Sequence, residues 1–183
     1  MEKTFYTLLV YSENIAGILN QITAVFTRRQ VNIESHNVSA SSIEGLHKYT
    51  ITAWSDPDQI EKITRQIEKK IDVVKAKFYT DDQLFIRETG LYKLSTQIVL
   101  DNPEVSRIIR HYDAMITEVN PTYVAVMKSG VTEDIVAMFK ALNQFDCVLQ
   151  YTRSGRIAIT RSTEEEVSAF LDQRQTEHDK GNG

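Results

Sequence analysis

Apolar and polar positions change their period several times along this chain, and they do so in the same order twice. TFYTLLVY (4–11) is rich in β-formers and predicts a strand. In AGILNQITAVFTRR (16–29), Ile18, Leu19, Ile22, Val25 and Phe26 recur on one face of a helix. Arg28 and Arg29 fall in its last turn, where cations offset the negative end of the helix dipole. Residues 31–40 predict a second strand, and LHKYTITAW (46–54) alternates as a third. Asp56 and Pro57 are a cap followed by proline at the first helical position, ahead of Ile60, Ile63 and Ile67 on one face. IDVVKAKFY (71–79) closes the run as a fourth strand. The order β-α-β-β-α-β predicts a ferredoxin-like unit, one antiparallel sheet with both helices on one face.

The pattern then recurs. TDDQLFIRETG mixes charges and turn formers, so 81–90 is expected to be a linker. A strand is expected over 91–100, and a helix over 102–112 with Asn102 as cap, Pro103 in the first turn and Val105, Ile108, Ile109 and Tyr112 on one face. Strands follow at 114–120 and 122–129 around the Asn120-Pro121 turn. A helix is expected over 132–142, capped by Thr132, with Ile135, Met138, Phe139 and Leu142 inward. A strand over 145–152, another over 156–160 and a short helix over 163–173 complete the reading. The predicted class is α+β, with two ferredoxin-like βαββαβ domains in tandem: 1–80, a linker at 81–90, 91–173, and a disordered polar tail at 174–183. The repeat is one of architecture; the halves share little residue identity.

One element breaks the pattern. VNIESHNVS (31–39) places Asn32, Glu34, Ser35, His36 and Asn37 so that both faces of its strand carry polar groups. The residues alone read as an exposed edge strand, kept polar on both faces to block sheet-to-sheet pairing.

Composition narrows the function classes. The chain has 183 residues, 42% hydrophobic and 25% charged, with a net charge of −4. No basic excess points to nucleic acid or a membrane surface. The single Cys147 excludes an internal disulfide framework and a cysteine-based zinc site, suits a reducing compartment, and is expected to be buried and inert. The first residues show no signal-peptide pattern and no run nears the ~20 apolar residues that span a bilayer, so a cytoplasmic location is expected.

Catalytic chemistry is hard to assemble. His36, His47, His111 and His178 form no i, i+4 pair, and HExxH, GxSxG, GxGxxG and Walker-type patterns are absent from the sequence. RSGR (153–156) reads first as a turn. The chain is therefore expected to catalyse nothing alone and to hold no metal. The connection ENIAGIL (13–19) is different. The first N–H groups of a helix form an anion site, Gly17 lets a ligand approach the backbone, and Asn14 can donate and accept, which suits an α-amino acid. The plainer alternative is that Asn14 only caps the helix and Gly17 only relieves crowding.

Asn14, Gly17 and Leu19 as N-x-x-G-x-L, then FTRRQVNIES (26–35), resemble the ACT domain of the small regulatory subunit of acetohydroxyacid synthase (acetolactate synthase). YTRSGRIAITR (151–161) resembles the segment near the end of that family's C-terminal domain, and NPEVSRIIRHYDAMITEVNPTYVAV (102–126) fits its layout. The resemblance spans roughly 3–161. It implies a non-catalytic regulatory subunit with no cofactor of its own, which activates a large subunit carrying thiamine diphosphate and Mg2+. It also implies feedback inhibition by valine or a related branched-chain amino acid at a junction of paired ACT domains. Asn14, Ala16, Gly17 and Ile18 would come from one chain, and Asn32 and Ile33 from its partner. A free-standing ACT sensor controlling another enzyme or transcription is the alternative. The sequence departs from the family where Gln30 stands for a common glycine and Gln21 for a common arginine.

Overall fold

The structure, a computed structural model, describes residues 3–163, 167, 168 and 171. The chain divides into two units, Met1–Phe85 with Ala158–Gly183, and Ile86–Ile157. It thus leaves the first unit after Phe85 and returns to it at Ala158.

The first unit contains β1 (Thr4–Glu13), α1 (Ile18–Arg28), β2 (Ile33–Ala40), β3 (Leu46–Ser55), α2 (Pro57–Glu68) and β4 (Val73–Tyr79). Its sheet order is β2-β3-β1-β4, with antiparallel neighbours. Asp56 accepts the Gln59 N–H at 2.8 Å and Pro57 opens α2, as the sequence predicts. Ile18, Ile22, Val25 and Phe26 of α1 and Ile63 and Ile67 of α2 pack with Leu8, Val10, Tyr49 and Ile51 of the sheet. Burying each such side chain is worth roughly 1.5–3 kcal/mol.

On the opposite sheet face Thr7, Leu9, Tyr11, Thr50 and Thr52 are buried as well. Here the returning segment is tied down: Lys48 Nζ donates to the Ala158 carbonyl at 2.7 Å, and the Arg161 N–H to the Gln83 carbonyl at 3.1 Å. The polar strand β2 lies at the sheet edge and pairs with β3, with a bulge between Ile33 and Ser35. Of its half-buried polar groups, Ser35 is met locally, its Oγ lying 2.6 Å from Thr52 Oγ1.

A 3-10 turn at Asp81–Gln83 leads into β5 (Leu84–Ser95), α3 (Thr96–Asp101), α4 (Pro103–His111), β6 (Met115–Val119), β7 (Tyr123–Gly130), α5 (Thr132–Asn143), β8 (Val148–Arg153) and β9 (Ile157–Thr160). The second sheet has the order β6-β7-β5-β8, with β9 also paired to β5. Strand for strand this repeats the first sheet. Its core joins Val105, Ile109, Ile135, Met138 and Leu142 of the helices to Tyr92, Leu94, Val124 and Val126.

Three local expectations change. Residues 84–90, read as part of a linker, are strand: Glu88 is buried and bonded to Arg153, and Gly90 lies so close under Ile135 that a Cβ would sit 2.7 Å from its side chain. The strand expected over 91–100 stops at Ser95, where the Thr96 hydroxyl donates to the Asn120 carbonyl at 2.7 Å and the chain turns into α3. Thr132 is not the cap of α5; Val131 holds that position, and the Thr132 hydroxyl accepts from Arg156 Nε at 3.0 Å. The helix expected over 163–173 lies mostly, and the tail at 174–183 entirely, outside the described residues.

Candidate functional site

The first connection is built from the end of β1. The Glu13 N–H donates to Asp72 O at 2.9 Å and the Asn14 N–H to Gly45 O at 3.3 Å, which fixes the loop against its neighbours. Gly17 is the N-cap of α1, at φ 89 and ψ −8, and supplies no side-chain acceptor. The N–H groups of Leu19 and Asn20, which would bond a Ser or Asp cap, therefore face the loop without one. Asn14 is not the cap. Nor does Gly17 relieve crowding, since a Cβ there would meet nothing within 4 Å. Glycine is suited to this position because its backbone is left-handed.

Asn14, Ala16 and Gly17 are exposed. Ile18 is 3% exposed with its side chain in the core, so only its backbone faces the loop, and its N–H donates to Ile15 O at 3.3 Å. Beside the loop is an open depression of about 500 Å3 lined by Glu13, Asn14, Ile15, Glu44, Gly45 and Leu46. Of these, sequence reasoning named only Asn14; the 44–46 turn is remote in the chain, and nothing but the register of β1 with β3 brings it here. Exposed Glu13 and Glu44 line the depression, and the open helix start follows in the chain two residues after Ile15, which also lines it. That combination suits a small ligand bearing an ammonium and a carboxylate.

Asn32 and Ile33 lie elsewhere. Asn32 is exposed just ahead of β2, and Ile33 is aligned with Ala53, which faces Tyr6 near the start of β1. The loop begins beyond Glu13, about 23 Å further along the sheet at ~3.3 Å per residue. Within one chain the two groups of candidate residues therefore sit at opposite ends. The far end of β2 does reach the loop's level, since Ala40 pairs with His47 and the adjacent Leu46 pairs with Glu13.

The RSGR motif is a turn. Arg153 Nη1 lies 3.1 Å from the Glu88 carboxylate, which is 3% exposed. The Ser154 N–H donates to Thr89 O, Ser154 Oγ accepts the Thr89 N–H, and Gly155 takes φ 77. Arg156 is buried against Thr132. Both arginines are thus engaged by protein. Cys147 is fully buried, its thiol 3.2 Å from Leu142 O and pushed up in pKa by burial. Burial also raises the phenols of Tyr92 and Tyr151, and Tyr92 donates to Ile135 O at 2.7 Å. Among the described residues, no group of three or more His, Cys, Asp and Glu side chains is placed to hold a metal, and no helix is long and apolar enough to cross a membrane.

Two family models match: the small subunit of acetolactate synthase over residues 87–162, and the small-subunit-like ACT domain of the same enzyme over 8–75. The acetolactate synthase small subunit of Bacillus subtilis is 29% identical over 168 residues, covering 91% of this chain and 95% of that protein. That of Haemophilus influenzae is 29% identical over 154 residues, covering 84% and 94%. The crystal structure of the Thermotoga maritima small subunit superposes with a TM-score of 0.78 at 24% identity, over 87% of this chain and 99% of that one. Its likeness shows the same tandem fold. Two matched halves, near-complete overlap with curated relatives and a shared architecture lead to one conclusion: the chain belongs to the acetolactate synthase small-subunit family, and its first half is an ACT domain.

Proposed function

We propose that this protein is the regulatory subunit of an acetolactate synthase, that it pairs through the open edge of β2, and that each pair holds two branched-chain amino acids. The observation that carries this reading is the separation of the candidate residues to opposite ends of one sheet. A two-fold axis beside β2 would set two edge strands antiparallel. The start of one β2 would then lie level with the end of the other. Since the end of β2 is level with the 13–17 loop, Asn32 and Ile33 of one chain would meet Asn14, Ala16, Gly17 and the Ile18 backbone of its partner. The edge would be covered and its unpaired backbone groups bonded.

In this site the ligand's carboxylate faces the N–H groups of Leu19 and Asn20 at the start of α1. Its ammonium faces Glu13 and Glu44, and the Asn32 amide joins from the second chain. The catalytic large subunit, with its thiamine diphosphate and Mg2+, performs the chemistry. This chain activates it and carries the feedback signal of valine, leucine or isoleucine. Calorimetric titration with those three amino acids tests the reading. Saturable binding at about one ligand per chain, lost in Asn32→Ala, is expected. No binding of any of them would remove the sensor role, and no change in catalytic-subunit activity on adding this chain would remove the regulatory one.

A further inference from the structure

We propose that Lys48 is the positioning residue through which occupancy of the 13–17 loop is passed to the strand that returns from the second unit. The inference rests on the functional reading above. Lys48 lies on β3 two residues beyond Leu46, which lines the loop's depression, and period-2 alternation puts both side chains on one face. Its register partner is Tyr11, two residues before Glu13. The Lys48 ammonium stands 5.7 Å from the Tyr11 ring centroid and donates to the Ala158 carbonyl at 2.7 Å. Ala158 is 5% exposed and is the residue at which the chain re-enters the first unit, at the start of β9.

A charge-assisted bond to a buried carbonyl is strong and directional. A single side chain thus joins the strand bordering the ligand loop to the strand carrying the second unit's chain back. Further along, β9's continuation is held by the Arg161 N–H on Gln83 O and by Arg161 Nε on Leu84 O, both at 3.1 Å. Among the described contacts the returning segment is held by the pairing of β9 with β5, by Arg161 and by Lys48, and of these Lys48 belongs to the strand bordering the loop. A shift of β3 at Leu46 on ligand binding would move the Lys48 anchor while the Arg161 anchor holds.

The test uses full-length protein with its catalytic subunit, and valine, leucine and isoleucine as probes. Amino-acid affinity is measured with and without the catalytic subunit, and activity with and without amino acid. For the wild type, the affinity ratio should be roughly 5-fold or more, as for ordinary coupled sites. For Lys48→Met, binding to the isolated subunit and activation should persist while the ratio falls to about 1 and inhibition disappears. Lys48→Arg, which keeps the cationic donor, should restore coupling. Wild-type coupling retained in Lys48→Met would overturn the proposal, as would loss of binding and activation together in a folded variant. Should Lys48→Met fail to fold, Arg161→Ala decides: a role for the returning segment requires its coupling to weaken, and an unchanged ratio contradicts it. A wild type that binds none of the three amino acids sinks the sensor reading itself and this inference with it, an outcome read without any variant.

Discussion

The two units end the corresponding helices α1 and α4 alike and begin them differently. After α1, Gln30 takes φ 53, its N–H donating to Thr27 O and that of Val31 to Phe26 O. After α4, Asp113 takes φ 50, with Asp113 and Ala114 donating to Arg110 and Ile109. Both are Schellman ends with a non-glycine residue at the left-handed position. The beginnings diverge. In the second unit Asn102 accepts the Glu104 N–H at 3.0 Å and Pro103 has no N–H to offer, so the start of α4 is closed by protein. In the first, Gly17 leaves the start of α1 open beside a depression. The start of α4 is thus closed, and that of α1, where a ligand is proposed to bind, is open. The contrast between α1 and α4 lies at the capping residue; the second unit also inserts the short helix α3 ahead of α4, and the Ser95 cap of α3 makes no side-chain bond.

That contrast can be broken most directly at Gly17. Gly17→Asp should abolish amino-acid binding, because its carboxylate would occupy the anion position and repel the ligand's own. Any non-glycine residue here also bears about 1–2 kcal/mol of left-handed strain. Gly17→Ala is therefore the control: it should show the strain by urea unfolding yet bind at least tenfold better than Gly17→Asp by calorimetry. The opposite substitution is Asn102→Ala, which should cost about 1 kcal/mol of stability and leave ligand affinity unchanged. Gln30→Gly and Asp113→Gly should each stabilise by about 1 kcal/mol or less, by relieving the same strain. Unequal gains would show that the two helix ends are not equivalent.

The smallest effect expected is one of pH. Tyr92, Tyr151 and Cys147 of the second unit are raised in pKa, first by burial, so folding favours their protonated forms. Their contribution is complete below the unfolded values, about 8.5 for a thiol and 10 for a phenol, and is lost as pH rises through the folded ones. Unfolding midpoints should therefore fall between pH 8 and 10.5, and the Cys147 thiol should resist alkylation at neutral pH in the native protein.

Much of this fold is legible in local pattern. The Asp56-Pro57 and Asn102-Pro103 helix starts, the apolar faces of α1 and α2, and the misfit of residues 31–39 as an ordinary half-buried strand are all sequence-local signals. The misreadings share a cause. Glu88 looks like a loop residue until Arg153, 65 positions away, neutralises it inside the fold. Thr132 looks like a cap until Arg156 takes its hydroxyl. STQIVL continues the alternation of β5 until Thr96 finds Asn120. Each is a long-range polar bond overriding a local preference. The candidate site divides in the same way: Asn14 and Gly17 announce themselves by residue type, whereas Glu44, Gly45 and Leu46 join them only through strand register. The return of the chain to the first unit at Ala158 left no mark in the local pattern.

The central claim is that the ligand site draws on two chains, and subunit mixing tests it most directly. Gly17→Asp and Asn32→Ala homodimers should each bind no amino acid. Unfolded together, refolded and allowed to pair at random, about half the dimers would be mixed. In a mixed dimer one site joins the intact loop of the Asn32→Ala chain to the intact Asn32 of the Gly17→Asp chain. The account predicts that calorimetry of the mixture recovers tight binding at about one site per four chains. A mixture as inert as its parents would mean that the loop and Asn32 do not meet across the dimer.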